Sequence, residues 1–105
     1  MSSRTLVLIT ASNTKEAEKI SKTLLKEKLA ACVNTVPKVE SRYWWKGRIE
    51  KAKESLLIVK TRKALVGAII QKVKQIHSYT VPEVIALEIK QGNPDYLAWL
   101  DSSLH

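Results

Sequence analysis

The sequence predicts an α+β fold, a ferredoxin-like βαββαβ sandwich with a long projecting β-hairpin and a C-terminal helix. Three observations predict it. Short β-branched runs alternate with apolar repeats of helical spacing in the order βαββαβ. Two unusually long extended segments flank Lys46-Gly47. A last amphipathic stretch, YLAWL, is preceded by the helix-start signature Asn93-Pro94-Asp95.

Each element has a local cause. RTLVLITA, residues 4–11, is apolar throughout and suits a central strand covered on both faces. Asn13 caps the helix that follows, with Glu16 as its capping-box partner, and Ala17, Ile20, Leu24 and Leu25 recur at helical spacing to about Glu27. Residues 30–45 and 48–61 read as hairpin arms of about 14 residues each, near 45 Å at 3.3 Å per residue. A two-residue loop at Lys46-Gly47 sets Trp44 opposite Ile49, Tyr43 opposite Glu50 and Glu40 opposite Lys53. Leu65, Ile69, Val73 and Ile76 mark a helix over 63–76, and VPEVIALEI, 81–89, reads as the fourth strand with Pro82 near its start. No repeat, linker or low-complexity tract divides the chain, so residues 1–105 are expected to form a single domain.

The arms are too long for one small sheet, so the hairpin tip must project, carrying Tyr43, Trp44, Trp45 and Ile49. Bare tryptophans on a projecting hairpin predict an oligomer with these four residues at its interface.

Composition narrows the function classes. Eighteen basic against ten acidic residues give a formal charge of +8. Lysines and glutamates interleave along the first helix, which describes a solvated face better than a groove-binding surface, so nucleic acid is not the expected partner. The longest apolar runs fall far short of the about 20 residues a membrane span needs. The apolar part of MSSRTLVLIT is expected to be too short for a secretory signal. One cysteine allows no intrachain disulfide, which points to a reducing, cytoplasmic compartment.

Candidate functional residues are Cys32, Asn34, Tyr43, Trp45, Glu54, Lys60, His77, Tyr79 and Glu83. Cys32 sits alone in an apolar run, where a thiol is more often packing than nucleophile. His77 ends a helix, where the dipole favours an imidazolium, and with Glu83 and Cys32 it could form a metal or proton-transfer site; a loop-shaping role explains it equally. Glu54 and Lys60 share strand parity and so face one side. No HxxxH, CxxC, GxGxxG or Walker-type spacing occurs. The strands that would be central in an RNA-recognition module carry no stacking aromatics, which removes that reading.

KLAACVNTVP, followed by Ser41, Tyr43, Trp45 and Gly47 in S-x-Y-x-W-x-G, resembles the CutA family of divalent-cation tolerance proteins. So do Glu54 to Thr61 in E-x-x-x-x-x-K-T, H-x-Y-x-V-P-E at 77–83 and GN-x-x-YLAWL at 92–100. The resemblance implies a homotrimer similar in architecture to the PII signalling proteins, whose hairpins wrap neighbouring subunits. It also implies a polar cluster at the subunit clefts, built here from Cys32, Tyr43, Glu54, Lys60, His77, Tyr79 and Glu83. Copper or another divalent cation is the implied ligand, with His77 and Cys32 as candidate metal ligands. Ile9 and Ile76 stand where some copper-binding members carry Cys and His, and Ser78 and Glu88 where many carry proline.

The expectation is a cytoplasmic trimer of binding or signalling type, linked to copper tolerance and homeostasis. The alternatives are an enzyme acting on a small anion at the same cleft, and a PII-like small-molecule sensor that binds no metal.

Overall fold

The computed structural model describes residues 3–105; Met1 and Ser2, the start of the segment read above for a leader, lie outside the described residues. The elements are β1 (Arg4–Ala11), α1 (Thr14–Lys26), β2 (Cys32–Trp45), β3 (Arg48–Arg62), α2 (Lys63–Ile76), β4 (Val84–Glu88) and α3 (Pro94–Ser102). The strands form one antiparallel sheet in the order β2-β3-β1-β4, the arrangement expected of the βαββαβ order.

Strand parity divides the sheet into two faces. Val7, Ile9 and Ala11 of β1 and Leu57 and Val59 of β3 point inward, where they meet Ala17, Ile20 and Leu24 of α1 and Ile69 and Val73 of α2. Burying a side chain such as Ile20 contributes about 1.5–3 kcal/mol. Ile9 and Ile76 both belong to this layer, Ile9 fully buried and Ile76 packed at its margin. The other face carries Arg4, Leu6, Leu8, Leu56, Ile58 and Lys60. There α3 lies across one end, opposite to α1 and α2, held by Arg4 Nε and Nη2 donating to the two oxygens of Asp101 at 3.1 and 2.6 Å. Arg4→Ala is expected to leave the sheet folded while speeding amide exchange in 94–102; equal exchange in the two proteins would disprove that role.

The hairpin has the expected register, with Trp44 opposite Ile49, Tyr43 opposite Glu50 and Glu40 opposite Lys53. Lys46 (φ 52°) and Gly47 (φ 75°) both take the left-handed conformation that a twisted two-residue turn requires. Pairing of β3 with β1 stops at Ser55, so the stretch of β3 before it pairs with β2 alone and the tip stands clear. The radius of gyration is accordingly 14.2 Å, against about 12.9 Å for a compact domain of this length.

Two local expectations change. The fourth strand, expected over 81–89, is Val84–Glu88, with the Ile89 N–H still donating to the Arg4 carbonyl at 2.9 Å; it starts late because the Thr10 carbonyl, the next along β1 after Ile9, is taken by His77. At the start of α1, the Asn13 side chain accepts from Glu16 N–H at 2.8 Å as expected. The Glu16 carboxylate, however, reaches past Asn13 to accept from the Ser12 N–H and hydroxyl, both at 2.9 Å.

Candidate functional site

Pro37 sets the geometry of the site. Along β2, residues 39–45 pair with β3 in the register set by the turn, but Val36 faces Leu56 and Cys32 faces Lys60. One extra residue is accommodated at Pro37-Lys38, a bulge on an edge strand, where proline costs no ladder bond. The buried Ser55 hydroxyl donates to the Pro37 carbonyl there at 3.2 Å. Had the turn register continued, Cys32 would face Thr61, which is buried beneath the helices. The bulge inverts the parity of the strand. Cys32 and Asn34 thereby share the outer face with Tyr43, Trp45, Glu54 and Lys60.

The outer face holds two groups of the expected site residues. At the root of the hairpin, the Tyr79 hydroxyl donates to Glu54 Oε2 at 2.7 Å. Burial, then the hydrogen bond to the Glu54 carboxylate, holds the Tyr79 phenol above its ordinary range, so it serves as a donor. The Tyr79 N–H donates to His77 Nδ1 at 3.0 Å, and His77 Nε2 lies 2.7 Å from the Thr10 carbonyl. A carbonyl only accepts and an amide N–H only donates, so the ring holds its proton on Nε2 and keeps no free lone pair. Glu16 Oε1 lies 3.7 Å from the same Nδ1.

Behind His77, Glu16 Oε2 accepts from Ser78 N–H at 2.7 Å and so ties α1 to the 77–80 loop. Burial raises the Glu16 pKa, but hydrogen bonds from Ser12 and Ser78 outweigh it and bring the carboxyl down to about 2. A proline at position 78 would lack the N–H that makes this tie.

Glu54, Tyr79 and Glu83 line one cleft of about 800 Å³ with Tyr43 and Trp45 of the hairpin. Glu40 and Arg42 also line it and pair with each other at 2.8 Å. The second group lies six residues along β3, roughly 20 Å away. There Lys60 Nζ donates to Asn34 Oδ1 at 2.8 Å, sits 4.0 Å from Cys32 Sγ and lies 5.8 Å from the centre of the Tyr96 ring of α3.

Cys32 and His77 are thus not brought together within the chain. Among the described residues no three His, Cys, Asp or Glu side chains gather into a metal-holding group. With both its nitrogens engaged, His77 is not free to join such a group among the described residues.

Sequence reading did not place Glu16, Glu40, Arg42, Ser78 or Tyr96 at the site. Glu16 was legible only as a cap, Glu40 only as a cross-strand pair and Ser78 only as a departure from proline. Tyr96 was legible only as part of the YLAWL motif, because nothing local tells which face of the sheet a terminal helix crosses.

Fold and site together define a ferredoxin-like α+β protein with a projecting hairpin and a polar, aromatic cleft at the hairpin's root. The family model of the CutA1 divalent ion tolerance protein matches residues 5–103, and the chain belongs to that family. It is similar to the rice protein CutA 1, chloroplastic, at 49% identity over 93% of this chain and 55% of that protein. It is also similar to the divalent-cation tolerance protein CutA of Thermus thermophilus, at 46% identity over 90% and 92%. The chain spans a little over half the length of the plant and animal relatives it matches. Among solved structures, CutA1 from Oryza sativa superposes with a TM-score of 0.96 at 46% identity, covering 99% of this chain and 95% of that one. The periplasmic divalent cation tolerance protein CutA from Archaeoglobus fulgidus gives 0.94 at 42%, covering 97% and 99%.

These relatives overturn the cytoplasmic expectation. The rice and Arabidopsis thaliana proteins are named chloroplastic and the Archaeoglobus protein periplasmic, so this fold is not tied to one compartment. A single cysteine shows only that no intrachain disulfide is needed, which holds in any compartment.

Proposed function

We propose that the chain is a single domain that works as a homotrimeric, PII-like binding protein of cation tolerance, with its ligand site in the cleft at the hairpin's root. The supporting observation is surface area. The chain exposes 6870 Å², whereas a compact monomer of its mass exposes about 5,900 Å². The surplus of roughly 1,000 Å² per chain is the size that specific interfaces bury. It is concentrated in apolar groups: Trp44 is 73% exposed and Ile49 64%, and Ile85, Leu87 and Val36 lie bare on the outer sheet face. Burying these side chains against copies of the chain removes the liability of a bare ribbon. Cys32, Asn34 and Lys60 sit on the same face beside α3, so assembly would enclose them further.

A link to divalent cations, copper included, then belongs to the trimer. His77 and Cys32 stand too far apart to act as joint ligands in one chain, so a cation site needs groups from more than one subunit.

The test is light scattering on the wild type and on Trp44→Ser/Ile49→Ser, followed by calorimetric titration of Cu(II) and Zn(II) into both. The wild type is expected at the mass of three 11.8 kDa chains and the variant, still folded by circular dichroism, at the mass of one. Saturable cation binding by the trimer alone is the expected result. A trimeric variant would overturn the assembly, while binding by the monomer, or by neither protein, would overturn the assignment of cation tolerance to the trimer.

A further inference from the structure

The cleft at the hairpin's root also shows what class of ligand it suits, an inference that rests on reading it as the binding site. We propose that it takes a primary ammonium or guanidinium group carried on a small organic molecule.

Glu54 carries the inference. It is only 7% exposed, and its sole partner among the described residues is the Tyr79 hydroxyl on Oε2. Oε1 makes no hydrogen bond to the described residues, and since none of their buried side-chain oxygens lacks a partner, Oε1 is open to the cleft that Glu54 lines. A donor arriving from the cleft would add a charge-assisted hydrogen bond to a carboxylate that is otherwise poorly hydrated.

Charge selects among such donors. The protein is +8 overall, yet this cleft is lined by Glu40, Glu54 and Glu83 against one basic group, Arg42. Arg42 and Lys51 both pair with Glu40, at 2.8 and 3.3 Å. Glu83 makes no ion pair among the described residues, so three carboxylates face two cations and the cleft keeps a net negative charge. An anion is repelled here, and a neutral ligand leaves that charge uncompensated.

The walls select an organic cation over a metal ion. Tyr43 and Trp45 lie on the same face as Glu54 because the bulge precedes them, and aromatic faces attract ammonium and guanidinium groups. A divalent metal would need several ligands within about 2.0–2.6 Å, and the described residues offer no such group. The volume of about 800 Å³ lies in the range of small-molecule sites.

The test titrates agmatine, 1,4-butanediol and glutarate by calorimetry into the full wild-type chain and into Glu54→Gln, Trp45→Leu and Lys22→Ala. Agmatine carries both cationic groups, the diol is a neutral control and glutarate an anionic one. Saturable binding of agmatine alone is expected. Glu54→Gln, which keeps an acceptor for Tyr79, should weaken it about tenfold or more. Trp45→Leu should weaken it about threefold to tenfold, and the remote Lys22→Ala should leave it unchanged. Oligomer mass and circular dichroism are compared across all four proteins, so that lost binding is not mistaken for lost structure. Agmatine binding that ignores Glu54→Gln overturns the inference. Glutarate binding that is lost in Trp45→Leu, with agmatine silent, overturns it and leaves the cleft standing as a ligand site. Silence toward every probe from an intact oligomer overturns both.

Discussion

Deletion of Lys38 is expected to leave both faces of β2 as they are and to cost no more than about 1 kcal/mol, while Lys38→Ala should behave almost as wild type. Lys38 is exposed and makes no ion pair among the described residues, so its side chain contributes little. What it supplies is the extra residue of the bulge. Without it, Pro37 comes opposite Ser55 and joins the Val39–Glu54 and Val36–Leu56 pairs in one regular register. Asn34 then still faces Ile58 and keeps its 2.8 Å hydrogen bond from Lys60. The cost is confined to the bulge, where the 3.2 Å hydrogen bond from the Ser55 hydroxyl to the Pro37 carbonyl is disturbed. Urea denaturation of the two variants beside wild type measures the effect. A loss of several kcal/mol in the deletion alone would show that the strand cannot close into that regular register.

Glu16→Gln should cost about 1–2 kcal/mol at pH 7, a figure already discounted for solvent screening, with the difference from wild type shrinking in acid. The sign follows from the pKa. In the folded chain the carboxyl lies at about 2, below the about 4.3 of an unfolded glutamate. Its contribution is therefore fully present above the unfolded value and is lost as pH falls from about 5 through about 2. The amide also places an NH₂ against one of the donors the carboxylate now accepts from, Ser12 or Ser78. Urea midpoints of both proteins at pH 7, 5 and 3 test this, and a gap that stays constant with pH would refute it. Because Ser78 precedes Tyr79, the same substitution should loosen the loop that presents the Tyr79 hydroxyl to Glu54.

Most of the fold was legible because its causes are local. Asn13 and Asn93 mark two helix starts, Lys46-Gly47 sets the turn, and β-branched runs mark the strands; each acts over a few residues and is printed in order along the chain. The fourth strand was overextended because its length depends on its neighbour, which stops offering carbonyls at Thr10. The site was legible as a set of residue types but not as an arrangement. His77 was readable as a helix-ending histidine, yet both its nitrogens are taken by backbone groups, Thr10 and Tyr79, one of them distant in sequence.

By itself the sequence determined the order of elements, the turn register and the projecting aromatic tip, since periodicity, capping and turn chemistry are properties of neighbouring residues. Only the tertiary structure decided which residues share a face. In a strand of period two, one extra residue reverses every side chain before it, and nothing in CVNTVPK states how many residues Ser55 will face until β3 lies alongside. That single residue at Pro37-Lys38 turned Cys32 and Asn34 outward to Lys60, while the five residues of β3 between Lys60 and Glu54 kept them from the cleft.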